Sequence, residues 1–260
     1  MNGDVRAGEP ALPSLSLVIP AYNEAARIRR TLQTAWDYLQ RQPYATELLL
    51  VDDGSPDQTG TIAEMFAEEH DGVRVMTIPH GGKAAALRAG MSEASGDLIA
   101  FSDADLATPL HYLEDFRQAI QEGDDIVIGS REDQGAVRID EPSYRHLMGR
   151  VFNLIVRRLV LPDIQDTQCG FKLFRREAAH EILARARLYR SHDAAVRGPR
   201  VTAFDVELLV VGRRLGYRIR SVPVAWTYGN QSKVNPIRDT LNNFADVVRV
   251  KWNDVRSRYD

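Results

Sequence analysis

Apolar and polar positions follow two different periods along the chain, and together they predict strands interleaved with helices. Short apolar runs typical of buried strands occupy residues 15–20, 47–51, 73–78, 98–102, 125–128 and 218–224, and the polar loop of 166–174 turns into a further strand. Helical periodicity occupies 24–40 (with Asn23 as its N-cap), 59–69, 83–91, 144–161, 204–216 and a long stretch from Pro236. Alternating strands and helices are typical of βαβ units with right-handed crossovers. The pattern predicts an α/β fold with a mostly parallel central sheet flanked by helices.

The chain of 260 residues is long enough for one large α/β domain with a substantial core. We expect a polar, disordered leader over residues 1–13. Because neither an internal repeat nor a low-complexity linker divides the remainder, we expect a single domain over residues 14–260.

The composition limits which binding partners and which cellular compartment are compatible with the sequence. A formal net charge of -3 provides no overall attraction to nucleic acid or to an anionic membrane. The single cysteine, Cys169, excludes an internal disulfide and suits a reducing compartment. Neither a signal peptide nor an apolar run long enough to cross a bilayer is found in the sequence. We expect a cytoplasmic protein without a nucleic-acid partner, whose contact with a membrane would be peripheral and on the cytoplasmic face.

The strand at residues 98–102 leads into two carboxylates one residue apart, Asp103 and Asp105. Ligands of parallel sheets bind beyond the carboxyl ends of the strands, so both side chains are expected at a ligand-binding rim. Carboxylate oxygens suit Mg²⁺ or Mn²⁺ shared with substrate phosphates. The alternative is that the pair caps a helix beginning at Thr108 and Pro109, because Asp and Thr are common N-cap residues.

Polar residues follow the other early strands as well. Asp52 and Asp53 could accept hydrogen bonds from a nucleotide base or a ribose hydroxyl, although Asp-Gly-Ser is also common turn chemistry. Lys83 lies in the first turn of a helix opened by two glycines, where it could meet a diphosphate; a solvated surface lysine is the alternative. The Gly-x-x-x-x-Gly-Lys-Ser/Thr loop and the Gly-x-Gly-x-x-Gly fingerprint are both missing, which weighs against a kinase-like protein and a Rossmann dehydrogenase.

Two amphipathic helices are predicted in the second half. The helix at 144–161 contains no acid, and its arginines are Arg145, Arg150, Arg157 and Arg158. This pattern is typical both of a helix lying on anionic lipid and of a core helix with a solvated basic side. The last helix has an apolar stripe made of Ile237, Leu241, Phe244, Val248, Trp252 and Val255. For this stripe we expect a core position or a contact between two copies in a homodimer.

Seven motifs occur in order between residues 14 and 256. They are Val18-Ile19-Pro20-Ala21-Tyr22-Asn23-Glu24, Val51-Asp52-Asp53-Gly54-Ser55, Gly82-Lys83, Asp103-Ala104-Asp105, Gly129-Ser130-Arg131, Asp166-Thr167-Gln168-Cys169-Gly170-Phe171-Lys172 and Phe204-Asp205-Val206-Glu207-Leu208. Together they resemble glycosyltransferase family 2, and within it the dolichyl-phosphate glucosyltransferases and their relatives that charge polyprenyl phosphate. The resemblance implies a GT-A fold with a nucleotide-sugar-binding half, residues 14–108, and an acceptor half, residues 109–260. It also implies a divalent metal and inversion at the anomeric carbon.

The resemblance also implies roles for individual residues on the donor side. The nucleoside would be held by Pro20, Ala21, Tyr22, Glu24 and Asp52 or Asp53. The metal and the diphosphate would be held by Asp103, Ala104 and Asp105. A segment over residues 228–233 would close on the diphosphate, with Gln231, Ser232 and Lys233 as contacts. Because the leaving group is a dianion, Lys83 and Lys233 would help the metal to neutralise it.

On the acceptor side, similar polyprenyl-phosphate enzymes imply that Arg131 and Arg145 hold the lipid phosphate, whose geometry guanidinium groups match. That phosphate is already ionised and needs no general base. A hydroxyl acceptor would need one, and Asp205 is the first candidate for this role, with Asp166 the second. The alternative is that Asp205, followed by Glu207, only caps the helix.

The expected activity is therefore inverting transfer of glucose from UDP-glucose to polyprenyl or dolichyl phosphate. The mannosyl enzymes often carry a glutamine where this chain has Ala107, which weakens the case for GDP-mannose as the donor without removing it. A family 2 enzyme that transfers the sugar to a hydroxyl is also compatible with the sequence, and so is a catalytically silent nucleotide-sugar-binding module.

Overall fold

The strands of the protein form two sheets. The computed structural model describes residues 12–189, 203–229 and 236–260, without the side chains of Tyr144, Arg145, Leu147 and residues 236–241. The strands are β1 Leu15–Ala21, β2 Thr46–Asp52, β3 Val73–Thr77, β4 Leu98–Ser102, β5 Ile126–Ser130, β6 Val137–Ile139, β7 Phe171–Arg175, β8 Ile219–Pro223 and β9 Ala225–Thr227. The helices are α1 Ile28–Leu39, α2 Thr59–Glu69, α3 Lys83–Glu93, α4 Tyr112–Gln121, α5 Ser143–Leu159, α6 Arg176–Arg185, α7 Phe204–Arg214 and α8 Pro236–Val255.

The central sheet has seven strands in the order β3-β2-β1-β4-β7-β5-β8, and β6 pairs with β9 in a separate small sheet. Every neighbouring pair in the central sheet is parallel except those of β7, which runs antiparallel to both β4 and β5. The predicted α/β fold with a mostly parallel sheet is confirmed. Since Ser102, the last residue of β4, pairs with Phe171, the first residue of β7, the loop before β7 lies at the same rim as the segments that follow the parallel strands.

Side-chain alternation in the central strands builds a core on each face of the sheet. Ile99 and Phe101 of β4 join the layer that contains α3, α6 and α7, whereas Leu98 and Ala100 join the layer that contains α1 and α4. These side chains are all buried, which explains why the strand is apolar throughout. Replacing a buried phenylalanine such as Phe101 with alanine typically costs about 3–5 kcal/mol.

The structure differs from the predicted elements at several places. The first helix begins at Ile28 rather than at residue 24, so the prediction that Asn23 is its N-cap is wrong. Asn23 instead has a left-handed backbone with φ 56°, and its N–H donates to Ser55 Oγ at 3.0 Å. Helix α6 was not predicted, because its buried face consists of only Ala178, Ala179, Ile182 and Leu183. Strands β6 and β9 have three residues each, too few for a sequence signal.

The two amphipathic helices divide their apolar residues between the core and the solvent. In α5, Phe152 and Val156 are buried while Val151 and Leu154 are exposed. In α8 the expected core position of the apolar stripe is wrong: the described members of that stripe, Phe244, Val248, Trp252 and Val255, are exposed. The face of α8 that packs inward contains Asn243, Asp246, Val247, Val250 and Asn253. No helix among the described residues is long and apolar enough to cross a membrane.

The predicted leader falls mainly outside the described residues. Of the predicted leader at 1–13, only Leu12 and Pro13 are described, and the carbonyl oxygen of Pro13 accepts a hydrogen bond from Arg117 at 3.0 Å. Residues 190–202 also lie outside the described ranges.

Candidate active site

Asp103 and Asp105 lie in a tight turn at the carboxyl end of β4. The backbone N–H of Leu106 donates to the carbonyl of Asp103 at 3.0 Å, and the N–H of Ala107 donates to Asp105 Oδ1 at 3.1 Å. Leu106 takes the left-handed conformation, with φ 48°. The next helix, α4, begins only at Tyr112 and has no side-chain cap, so the alternative that the two aspartates cap a helix is wrong.

Lys83, the first residue of α3, forms an ion pair with Asp103. Both side chains remain accessible, at 36% for Lys83 and 40% for Asp103. Burial lowers the pKa of Lys83, but the negative charges of Asp103, Asp205 and Asp105 more than offset this effect, and the net result is a raised pKa. The lysine is therefore a firmly charged cation at the rim, next to the positive end of the α3 helix dipole.

The Asp105 carboxylate carries a charge that its surroundings compensate incompletely. Burial and the neighbouring charge of Asp103 raise its pKa, against the opposing effects of the Ala107 N–H, Lys83 and Arg27. Two hard carboxylates, of which Asp105 is incompletely compensated, fit Mg²⁺ or Mn²⁺, which often take their remaining oxygens from substrate phosphate and water. No group of three or more His, Cys, Asp or Glu side chains suited to a metal occurs among the described residues, so the protein's share of such a site is these two carboxylates.

The loop that precedes β7 packs directly against Asp103. A Cβ atom built on Gly170 would overlap the carboxylate of Asp103, so only glycine fits here without displacing that side chain. Cys169, beside it, is fully buried, and its Sγ lies 3.9 Å from Thr108 Oγ1. The glycine is thus part of the wall that sets the position of one predicted metal ligand.

Arg131 follows β5 and is clamped by Asp166 of the same loop. Its Nε and Nη2 donate to the two carboxylate oxygens of Asp166 at 2.6 and 2.9 Å, and its backbone N–H donates to Asp166 Oδ2 at 3.0 Å. Burial alone would raise the pKa of Asp166, but the Arg131 guanidinium holds it below the usual range. The Arg131 Cζ also lies 5.3 Å from the centre of the Trp226 ring. Asp166 thus fixes the orientation of the Arg131 guanidinium and does not bind its Nη1.

Two connections link Arg131 to the acidic turn. The loop from Asp166 to Gly170 contacts Arg131 at one end and Asp103 at the other, and four residue steps span at most about 14 Å. Strand β9 provides the second connection: Trp226 packs on Arg131, and the N–H of Thr227 donates to the carbonyl of Ala107 at 2.9 Å. The predicted acceptor cation and the predicted metal ligands therefore lie at one rim.

Asp53 organises the other end of the rim. Its carboxylate accepts hydrogen bonds from the N–H groups of Gly81 at 2.7 Å and Gly82 at 2.8 Å, and it contacts His80 Nδ1 at 2.8 Å. It thus holds the turn that leads into Lys83. Its predicted contact with the nucleoside stays a prediction, and the structure adds this structural role, which the sequence did not suggest.

The remaining predicted nucleoside residues surround Asp53. Pro20 and Ala21 end β1, and the carbonyl of Ala21 accepts the Asp53 N–H at 2.9 Å. Tyr22 stacks on the His80 ring with 4.0 Å between the ring centres. Asp52 accepts hydrogen bonds from Ser55, and Glu24 forms an ion pair with Arg27 at 2.7 Å. Of the residues predicted to hold the diphosphate, Ala104 is buried next to Asp103.

Asp205 lies in the first turn of α7 and is buried. It accepts a hydrogen bond at 2.6 Å from Lys172, a fully buried lysine of β7 whose ammonium also donates to the carbonyl of Cys169. Through Lys172 and the carbonyl of Cys169, Asp205 is connected to Gly170, which packs against Asp103, the ion-pair partner of Lys83. The negative charge of Asp205 is also one of those that raise the pKa of Lys83. The ion pair with Lys172 was not predicted, because a lysine in a strand does not by itself indicate burial.

Four predicted contacts fall outside the described part of the chain. They are the Arg145 side chain and residues Gln231, Ser232 and Lys233, and their roles stay predictions. Gly229, which precedes Gln231 in the chain, lies close to the acidic turn, because a Cβ atom built on it would lie 3.6 Å from Asp105 Oδ2.

Known proteins resemble the chain over most of its length. The family model for Glycosyl transferase family 2 matches residues 16–183. The chain is 33% identical to the glycosyltransferase AglD of Haloferax volcanii over 242 residues, which are 92% of this chain and 37% of that protein. It is 32% identical to dolichyl-phosphate beta-glucosyltransferases of Homo sapiens and Trichomonas vaginalis, over 91% and 90% of this chain and 74% and 70% of theirs.

Solved structures confirm the fold. Glucosyl-3-phosphoglycerate synthase from Mycobacterium tuberculosis, solved with Mn²⁺, UDP-glucose and phosphoglyceric acid, superposes with a TM-score of 0.64 at 21% identity, covering 92% of this chain and 80% of that one. The expected GT-A-like architecture is thereby confirmed. The chain spans 37% of the length of the Haloferax protein, so it corresponds to one part of that larger relative. On the strength of the family match over most of its length, the chain belongs to glycosyl transferase family 2 and is a glycosyltransferase.

Proposed function

We propose that the protein is an inverting, metal-dependent glucosyltransferase that moves glucose from UDP-glucose to a polyprenyl or dolichyl phosphate. The observation that carries this proposal is the loop at residues 166–170, whose Asp166 clamps Arg131 and whose Gly170 packs against Asp103. This arrangement supports an anionic acceptor bound beside a diphosphate, because guanidinium groups match phosphate geometry and carboxylates bind the metal that accompanies a diphosphate.

The donor assignment draws on the relatives and on the rim. Relatives that are 32% identical to this chain over the aligned residues are named dolichyl-phosphate beta-glucosyltransferases, and a structural neighbour was solved with Mn²⁺ and UDP-glucose. Asp103 and Asp105 would hold Mg²⁺ or Mn²⁺, which when bound offsets the negative charge on the leaving diphosphate. Lys83 and the first N–H groups of α3 add positive potential on the same side.

The proposed reaction requires no proton transfer to begin. An oxygen of the ionised acceptor phosphate forms a bond to the anomeric carbon on the face opposite to UDP. The bond between that carbon and the diphosphate oxygen breaks, its electron pair leaves with UDP, and the configuration inverts. Arg131, held by Asp166, would orient the acceptor phosphate, and Arg145 is proposed as a second contact. A lipid acceptor also implies that the protein works at a membrane surface, and we propose the cytoplasmic face.

Transfer to a hydroxyl is the second candidate, and the position of Asp205 favours it. This carboxylate lies near Lys83 and would be the general base that a hydroxyl requires. Its hydrogen bond with Lys172 argues the other way, because one of its oxygens is already engaged by a buried ammonium.

The test is incubation of the purified protein and Mn²⁺ with radiolabelled UDP-glucose or GDP-mannose and a short-chain polyprenyl phosphate. We expect labelled lipid from UDP-glucose; the absence of labelled lipid in every combination would contradict the proposal. Variants separate the two candidates: Arg131→Ala should lose more activity than Asp205→Asn if the acceptor is a phosphate, and Asp205→Asn should abolish transfer if it is a hydroxyl. Arg131→Lys, which keeps the charge, controls for the loss of the buried partner of Asp166.

A further inference from the structure

Arg138, the middle residue of β6, connects three parts of the acceptor side. Its Nε donates to the backbone carbonyl of Arg131 at 3.1 Å. Its Nη1 donates to Glu141 Oε2 and its Nη2 donates to Glu132 Oε1, both at 2.5 Å. The Arg138 side chain is only 12% exposed. The guanidinium therefore ties together the predicted acceptor cation, the residue that follows it and the loop that leads into α5.

The small sheet that contains Arg138 also holds an aromatic ring against the same cation. Arg138 pairs in register with Trp226 of β9, whose ring centre lies 5.3 Å from the Arg131 Cζ. The other two side chains of β6, Val137 and Ile139, are both exposed, so β6 contributes little to the core. Burial of apolar surface by β6 thus does not explain why a guanidinium is enclosed between these two positions.

The two carboxylates that Arg138 binds lie beside the acceptor cation. Glu132 is its neighbour in the chain, and both Glu132 and Glu141 bind the guanidinium that also binds the Arg131 carbonyl. Burial lowers the pKa of Arg131, whereas the negative charge of Asp166 and, more weakly, that of Glu141 raise it. Among the described side chains, three carboxylates and two guanidinium groups therefore form one charged cluster at this place.

A phosphate bound to Arg131 would be placed next to these carboxylates. Because Glu132 and Glu141 are largely shielded from water, their charges would repel the phosphate if they were not paired. An unpaired glutamate could also take the Nη1 of Arg131, which Asp166 does not bind. Arg138 prevents both effects, since it binds an oxygen of each glutamate and compensates their charge.

We propose that Arg138 is a positioning residue for the acceptor phosphate. It holds the backbone of Arg131 and pairs the charges of Glu132 and Glu141, which leaves the Arg131 guanidinium available to a phosphate. The inference rests on the proposed function, because it concerns the cation assigned to the acceptor. It adds a residue that lies outside all seven sequence motifs.

The first test compares transfer to a short-chain polyprenyl phosphate by Arg138→Gln and by the unchanged protein. We expect the acceptor KM to rise by about tenfold, a coupling typical of one ion-pair network, while kcat and the KM for UDP-glucose change by less than about twofold. The matched control is Arg220→Gln. Arg220 also binds two carboxylates, those of Glu122 and Asp124, but it lies toward the amino ends of β5 and β8. This control should keep its acceptor KM.

Two further variants separate the effect of charge from damage to the loop. The triple variant Arg138→Gln/Glu132→Gln/Glu141→Gln removes the cation together with both carboxylates, so its acceptor KM should return to within about threefold of the unchanged value. The double variant Glu132→Gln/Glu141→Gln keeps the cation alone, and its acceptor KM should fall below the unchanged value. A loop damaged by lost hydrogen bonds would instead raise the acceptor KM in both variants.

Calorimetric titration of the same polyprenyl phosphate in the presence of UDP and Mn²⁺ measures its Kd without turnover, and it should rank the proteins in the same order. The proposal is overturned if Arg138→Gln binds the phosphate as tightly as the unchanged protein, or if the triple variant binds as weakly as Arg138→Gln. It is also overturned if the double variant binds more weakly than, or only as tightly as, the unchanged protein. If Arg138→Gln does not fold, the double variant alone decides, because the proposal requires it to bind more tightly.

Failure of this proposal is distinguishable from failure of the proposed function. Transfer of glucose to polyprenyl phosphate with an acceptor KM that Arg138→Gln leaves unchanged would contradict the role of Arg138 and leave the proposed function standing. Binding of the phosphate in the expected order, without any transfer, would contradict the proposed reaction and leave the role of Arg138 standing.

Discussion

Gly170 packs so closely against Asp103 that a single added methyl group would occupy the space of the carboxylate. The contact joins the loop before β7 to the turn after β4, two segments more than sixty residues apart in the chain. It means that the position of a proposed metal ligand depends on a residue that carries no functional group of its own.

Gly170→Ala should therefore damage the reaction more than the fold. Displacing Asp103 by a fraction of an ångström or more misplaces the metal and the donor, and a displacement of about 1 Å can cost roughly 10² in rate. The measurement is kcat for glucosyl transfer together with the melting temperature. The matched control is Gly149→Ala in α5, where no atom lies within 4 Å of the added Cβ. That control should keep its activity and gain about 0.5–1 kcal/mol of helix stability. Full activity in Gly170→Ala would show that Asp103 does not need its present position.

Asp166→Ala should destabilise the protein by about 3–5 kcal/mol, because it leaves the Arg131 guanidinium partly buried without its partner. Urea unfolding at neutral pH measures this change. Asp163→Ala is the control: its carboxylate is 79% exposed and pairs with Arg213 on the surface. Its loss should cost about 0–1 kcal/mol. Equal effects of the two variants would mean that the buried pair has no special importance for stability.

The same pair predicts how stability depends on acid. The pKa of Asp166 is lower in the folded protein than its usual 3.8, so the folded state favours the ionised form. The resulting stabilisation is present above about pH 4 and is lost as the pH falls through the folded pKa; each pH unit between the unfolded and folded pKa values corresponds to about 1.4 kcal/mol. Urea midpoints measured from about pH 5 downward should fall, and they should fall less steeply in Asp166→Asn. A slope unchanged by Asp166→Asn would assign the acid sensitivity to other carboxylates.

Removal of the metal, or of one carboxylate that would bind it, should remove most of the thermal stabilisation that UDP provides. In the unchanged protein, UDP with Mn²⁺ should raise the melting temperature, since a ligand that binds only the folded state stabilises it by mass action. A chelator or Asp105→Asn should remove most of that rise. Asp71→Asn, the same change at an exposed position between α2 and β3, should leave it intact. A rise that persists in Asp105→Asn would show that the acidic turn does not hold the metal.

The sequence predicted the acidic turn correctly because Asp103 and Asp105 end a strand too apolar to face water. It could not predict the importance of Asp166 and Gly170 in the same way, because these residues precede a strand. Only the antiparallel direction of β7, which has no local sequence signal, brings them to the rim. The case of α8 is similar: periodicity identified a stripe at Phe244, Val248 and Trp252, but another face of the helix, with Val247 and Val250, turned out to fill the core.

The ion pair between Arg131 and Asp166 closes the chain on itself. Residues 132–165, which include β6 and α5, form a segment whose two ends are tied together by this pair, while Phe152, Val156, Leu161 and Ile164 of the segment pack into the core on one face of the sheet. The solvent-facing positions of the segment can therefore change without altering the spacing of the strands, as long as these buried residues are kept. Exchanging this segment for that of a relative is a route to a new acceptor preference on an unchanged donor-binding base.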